Sequence, residues 1–244
     1  MKKIILSSLG VVVLGAASFA ASFIKVEKSD GTVVKYHVGE INKVYIDIEP
    51  ELILTPGCYE YVDLGLSVEW ATFNIGATKP EEYGAYFAWG ETKPKNVYSW
   101  QTYKWSEGSE TTLTKYNTKH SYGKVDDITN LLPEDDAATV NWGNEWRMPT
   151  YEEQLELLNY CDWEWTELNG IKGYEITGFN GNSIFLPVAG EIIDEKEDRV
   201  GDTGYYWLSS LSVNSLYFYS NNHREFNTCR YRGLTIRPVH VTNN

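Results

Sequence analysis

The spacing of apolar positions changes three times along this chain. Behind Lys2 and Lys3, an apolar run extends from Ile4 to Ala20 and gives way to small residues at Ser18-Phe19-Ala20-Ala21-Ser22. A positive start, a short apolar stretch and small residues after it predict a secretory signal peptide over 1–20, cut after Ala20 or Ser22. The run is short for a bilayer span, which makes a retained membrane anchor the weaker reading. No cysteine stands at the cut, so nothing supports a lipid anchor. From residue 21 to 50 the period becomes two. Ile24 and Val26, then Val34, Tyr36 and Val38, then Val44, Ile46 and Ile48 alternate with polar residues, and Asp30-Gly31 supplies a tight turn. This predicts a small β appendage, joined by a linker over 51–57 to a larger domain over 58–241.

In the larger domain the strand-like runs are 173–177, 183–188, 205–211, 215–219 and 234–239. One helix is predicted. Thr150 with Glu153 forms a capping box, Pro149 stops the helix upstream, and Leu155, Leu158 and Tyr151 mark a buried stripe up to about Tyr160. Residues 74–145 carry little periodicity but many aromatics, which predicts packed loops rather than disorder. The expected class is α+β: a mostly antiparallel sheet, few helices and long packed loops, plus the small N-terminal β element.

Composition narrows the function. The net charge of −13 becomes about −15 without Lys2 and Lys3, which disfavours nucleic acid and anionic lipid as partners. With the leader removed, the expectation is a secreted or surface-displayed protein with no stable membrane insertion. All nine Trp lie between Trp70 and Trp207, inside the larger domain. Cys58, Cys161 and Cys229 allow three single bridges or none.

Several segments carry a family resemblance. They are Tyr61-Val62-Asp63-Leu64-Gly65-Leu66-Ser67-Val68-Glu69-Trp70-Ala71-Thr72, Tyr86-Phe87-Ala88-Trp89-Gly90-Glu91-Thr92, Trp146-Arg147-Met148-Pro149-Thr150, Asn182 to Gly190, Tyr206-Trp207-Leu208-Ser209-Ser210 and Gly233 to Val239. In this order they resemble the Fibrobacter-type major paralogous domain. That family is similar to the C-type-lectin-like group, with the formylglycine-generating enzyme and retroelement-diversified ligand-binding proteins. The resemblance implies an exported protein with a C-type-lectin-like fold. It also implies a bridge from the helix to the last strand, Cys161 to Cys229, worth roughly 3–4 kcal/mol for a loop of about 70 residues. Phe73 stands where the family pattern has a cysteine.

The richest candidate surface is 205–232. Tyr206, Trp207, Tyr217, Tyr219, Asn221, Asn222, Arg224, Arg230 and Tyr231 combine rigid aromatics, small polar groups and arginine, as binding surfaces do. Half of the aromatics on alternating strands must instead face a core. An acidic stretch (Glu191, Asp194, Glu195, Glu197, Asp198, Asp202) offers hard oxygen ligands for calcium, against a simpler solvated loop. Glu134-Asp135-Asp136 is expected to cap a short helix. The two-cysteine copper site of the formylglycine-generating enzyme has only Cys229 to match it. His37, His120, His223 and His240 form no metal-spaced pair, and no nucleophile elbow, P-loop or dinucleotide fingerprint occurs. The expectation is therefore a non-catalytic protein that binds an extracellular glycan or protein, without a cofactor. Alternatives are an assembly subunit that lends its N-terminal strands to a partner's sheet, or a divergent relative of the oxygen-using enzyme.

Overall fold

The computed structural model describes residues 23–27, 33–37 and 59–241. The chain divides into two compact units, 1–53 and 54–244. In the first unit β1 (Phe23–Glu27) and β2 (Val33–His37) pair antiparallel, with Ile24 opposite Tyr36 and Val26 opposite Val34. The expected Asp30-Gly31 turn, a third strand at 44–48, the signal peptide, the linker and Cys58 lie outside the described residues.

The second unit is α+β and rich in antiparallel sheet. It opens with β3 (Tyr61–Val62) and β4 (Glu69–Ala71). After long loops come α1 (Ala137–Trp142), β5 (Trp146–Arg147) and α2 (Tyr151–Tyr160). A meander of β6 (Asp162–Leu168), β7 (Ile171–Thr177) and β8 (Ser183–Pro187) follows, then a short hairpin of β9 (Glu191–Ile193) and β10 (Lys196–Asp198). A second meander, β11 (Gly204–Trp207), β12 (Ser215–Tyr219) and β13 (Asn222–Phe226), precedes β14 (Val239–His240). β14 lies between β4 and β5, so the end of the unit returns to its beginning. No described helix is long and apolar enough to cross a membrane.

Local chemistry accounts for these elements. The capping box at Thr150 and Glu153 is formed, and Arg147 holds the Glu153 carboxylate from outside the helix. That pairing turns residue 153 inward, so the buried face of α2 carries Glu153, Gln154 and Leu157. The expected Leu155–Leu158–Tyr151 stripe is corrected by this rotation: those three are only half-buried. Asp136 caps α1, accepting from the Ala138 and Thr139 amides at 2.9 and 3.0 Å, and also from the Met148 amide. Asn169 and Gly170, both at positive φ, make the two-residue turn that joins β6 to β7.

Strand β11 is buried on both faces, while β12 and β13 leave one face partly open. Tyr205 and Trp207 join a cluster with Phe87, Trp89, Trp142 and Ile236. Tyr206, Leu216 and Phe218 join another with Trp70, Leu157, Tyr174 and Ile184. Gly204 is required here, because a Cβ at that position would lie 2.1 Å from the Phe218 ring.

The loops over 74–145 are packed, and their aromatics explain how. Several bury a ring and use its polar tip on a backbone carbonyl. The indole of Trp89 donates to Leu208 O at 2.7 Å and that of Trp105 to Gly90 O at 2.8 Å. The hydroxyls of Tyr103 and Tyr98 donate to Trp89 O and Tyr86 O. Carbonyls that lack strand partners are satisfied in this way.

Candidate ligand-binding site

Two segments, 100–130 and 211–232, face each other across a cleft of about 690 Å³. That volume falls within the roughly 300–1,000 Å³ usual for small-ligand sites. One wall presents Trp100, Glu110, Lys119 and Tyr122; the other presents Phe226, Asn227, Cys229, Arg230 and Arg232.

Both walls are held from behind. The Asn214 side chain accepts from the Thr228 amide at 3.0 Å and donates to the Thr228 carbonyl at 2.9 Å, while the Asn227 side chain donates to Ser212 O. On the other wall, Tyr116 is fully buried with a left-handed φ of 59°, a strained state for a bulky residue. The Asp126 carboxylate fixes it by accepting from the Tyr116 and Asn117 amides at 2.8 and 3.0 Å. Burial opposes the charge on Asp126, but the amides of Asn117, Tyr116 and Ile128 outweigh it and hold the carboxyl below its ordinary range. The Tyr116 carbonyl accepts from Arg230 Nη1 at 2.8 Å, which ties the walls together. Arg230 also lies 5.3 Å from the Trp89 ring centroid.

Asp135 anchors the first wall. Its buried carboxylate accepts from Lys115 at 2.6 Å, Lys104 at 3.2 Å and the Tyr116 hydroxyl at 2.7 Å. Burial raises its pKa, but Lys115, Tyr116 and Lys104 together bring it below the ordinary aspartate range. The unfolded chain therefore takes up the proton first. The stability Asp135 contributes is complete above about pH 4 and disappears as pH falls through the lower folded value. Asp135→Asn should lower the melting temperature at pH 7 by an amount corresponding to about 1–3 kcal/mol. In thermal denaturation series the two proteins should converge as pH drops below about 4. A gap that stayed constant down to pH 3 would remove Asp135 from this role.

The nine expected ligand residues divide into three groups. Tyr206 and Trp207 are 2 % and 0 % exposed, so their assignment to a binding surface is corrected. The Tyr206 hydroxyl donates to Pro187 O and the Trp207 indole to Phe87 O, which makes both core residues. Tyr217, Tyr219, Asn222 and Arg224 share one face of β12–β13, where Tyr217 is opposite Arg224 and Tyr219 opposite Asn222. Arg224 lies 5.2 Å from the Tyr217 ring centroid and 5.4 Å from that of Phe226, so this ladder runs toward the cleft. Asn221 is exposed in the turn beside it. Arg230 lines the cleft, and Tyr231 packs edge-on against Trp100 at 5.1 Å. Sequence reasoning missed Trp100, Lys119, Tyr122 and Asn227, which come from loops with no periodicity to bring them together.

Comparison with protein-family models, curated proteins and solved structures returns no match.

One further expectation is corrected. Cys161 and Cys229 are both free thiols and are not bridged to each other. Cys161 follows α2 and packs against the Leu157 cluster, whereas Cys229 opens on the cleft beside Arg232. Burial raises the pKa of both, Cys161 to about 11. The acidic stretch does not converge as a calcium site, and among the described residues no group of three or more His, Cys, Asp or Glu side chains does. Glu191 is buried and accepts from Arg232 Nη1 at 2.8 and 2.9 Å, while Glu197 and Asp198 point to solvent from the β9–β10 hairpin. Glu134-Asp135-Asp136 is spent on Asp136's helix cap and Asp135's ion pairs.

Proposed function

We propose that this is an exported, non-catalytic binding protein that recognises an extracellular ligand, foremost a glycan, in the cleft between 100–130 and 211–232. The observation that carries this reading is the cleft itself: a concave site edged by Trp100, Tyr122 and Phe226, with amide, hydroxyl and cationic groups between them. Aromatic faces suit the apolar C–H surfaces of sugar rings, and the polar groups suit their hydroxyls. The Tyr217–Tyr219–Arg224 ladder extends that surface outward. Cys229 supports binding over thiol chemistry, because burial keeps its thiol protonated at neutral pH and a neutral thiol is a poor nucleophile. A C-type-lectin-like fold belongs to the same proposal. It is supported by β14 closing onto β4 and β5 while long loops gather at the cleft.

A glycan array of the purified protein, with and without calcium, tests this. Specific hits should weaken at least tenfold in Ser212→Trp, which places a bulky ring at an exposed rim position. The melting temperature of that variant should stay within about 2 °C of the parent, as for surface changes generally. Undiminished hits would move the site away from the cleft, and a blank array would remove the glycan version.

A further inference from the structure

The charges of the cleft run against those of the chain. The protein has 34 Asp and Glu against 21 Lys and Arg. Yet the charged groups lining the cleft are Lys119, Arg230 and Arg232 against Glu110 alone. Two of the chain's six arginines are therefore concentrated in one site, and a third, Arg224, stands on the ladder beside it.

These cations also retain unused donors. A guanidinium carries five N–H groups. Arg230 commits Nη1 to the Tyr116 carbonyl and lies beside the Tyr103 hydroxyl, which leaves further N–H groups for a ligand. Arg232 gives Nη1 to Glu191 and buries its Nε beside the Cys229 thiol, so it meets the cleft with the rest of its guanidinium. Lys119 is exposed at the rim and makes no ion pair with any described residue. A planar guanidinium fork recognises carboxylate and sulfate oxygens two at a time.

Building on the binding role proposed above, we infer that the cleft selects an acidic saccharide. Its anionic group sits among Lys119, Arg230 and Arg232, and its ring lies against Trp100 or Tyr122. A carboxylate or a sulfate ester supplies the same chemistry, and the test separates them.

Isothermal titration of the purified protein should compare three tetrasaccharides: one containing glucuronate, its sulfated counterpart and a neutral glucose chain. The inference predicts that at least one acidic ligand binds tenfold or more tightly than the neutral one. The preference should shrink at 0.5 M salt, because exposed charges are screened. Acidic binding should also fall about tenfold in Lys119→Gln, a rim change that leaves the folded core untouched. Whichever acidic ligand binds more tightly identifies the anion. Equal affinity for the neutral chain would overturn the acidic preference while leaving the cleft's binding role intact. Failure of all three to bind would also overturn it, and the array would then decide the binding role separately.

Discussion

Arg237→Met should leave the domain at the edge of unfolding at 37 °C. Arg237 is 1 % exposed, and among the described residues it pairs with no carboxylate. Its guanidinium instead donates to the Asn74 side-chain oxygen at 2.8 Å, to the Ala71 and Thr72 carbonyls at 3.1 Å, and to the Phe185 carbonyl at 2.9 Å. One side chain thus joins the segment after β4, strand β8 and the last stretch of the chain. Burial draws its pKa down to about 10, so it remains charged at neutral pH. Methionine would fill much of the volume but leave those acceptors unmet, each at about 1–3 kcal/mol. Some of the carbonyls can find other donors, so a total of about 4–6 kcal/mol is expected against a usual stability of about 5–15. Thermal denaturation followed by circular dichroism should show a drop of roughly 10–20 °C. Arg237→Lys should fall between, because one ammonium cannot reach three segments. An unchanged melting temperature would show that these carbonyls are satisfied without the arginine.

The second large effect is on Trp207, where the sequence suggested a ligand contact and the structure shows a core. Trp207→Ala should cost about 3–5 kcal/mol, the range for removing a buried aromatic. The loss comes from the cavity opened among Phe87, Trp89 and Ile236. The indole hydrogen bond contributes less, since Phe87 O also accepts from the Leu234 amide at 3.0 Å. Trp207→Phe should therefore retain most of the stability. Tyr219→Ala, at a position 39 % exposed on the neighbouring β12, should change the melting temperature little and weaken ligand binding instead. Urea denaturation of the three variants checks the ordering. Similar losses for Trp207→Ala and Tyr219→Ala would contradict it.

These two residues show what the sequence could and could not convey. Short-range chemistry was legible: Thr150 with Glu153 started α2, Asp136 capped α1, and the runs at 173–177, 183–188 and 215–219 became strands. Facing was not. Gly204 to Trp207 reads as a continuous aromatic run because β11 has a core on each side, and nothing local says that neither face reaches solvent. β13, Asn222–Phe226, has no apolar run at all and exists because β12 offers it an edge. β6 alternates Trp163 and Trp165 with Glu164, a period-two signal that the acidic residues obscured. Of the cleft, Arg230 was anticipated and Tyr231 and the ladder beside it were in view. The facing wall was not, because Trp100, Lys119 and Tyr122 are placed by Tyr116, Asp126 and Asp135 through contacts across the loops.

The most direct test of the binding role is a crystal structure of the protein with its best array ligand. A sugar is expected between the two walls, within hydrogen-bond distance of Arg230 or Asn227 and stacked on Trp100 or Tyr122. A ligand bound elsewhere, for instance in the hollow of about 410 Å³ beside Asp63, Glu69 and His240, would contradict it.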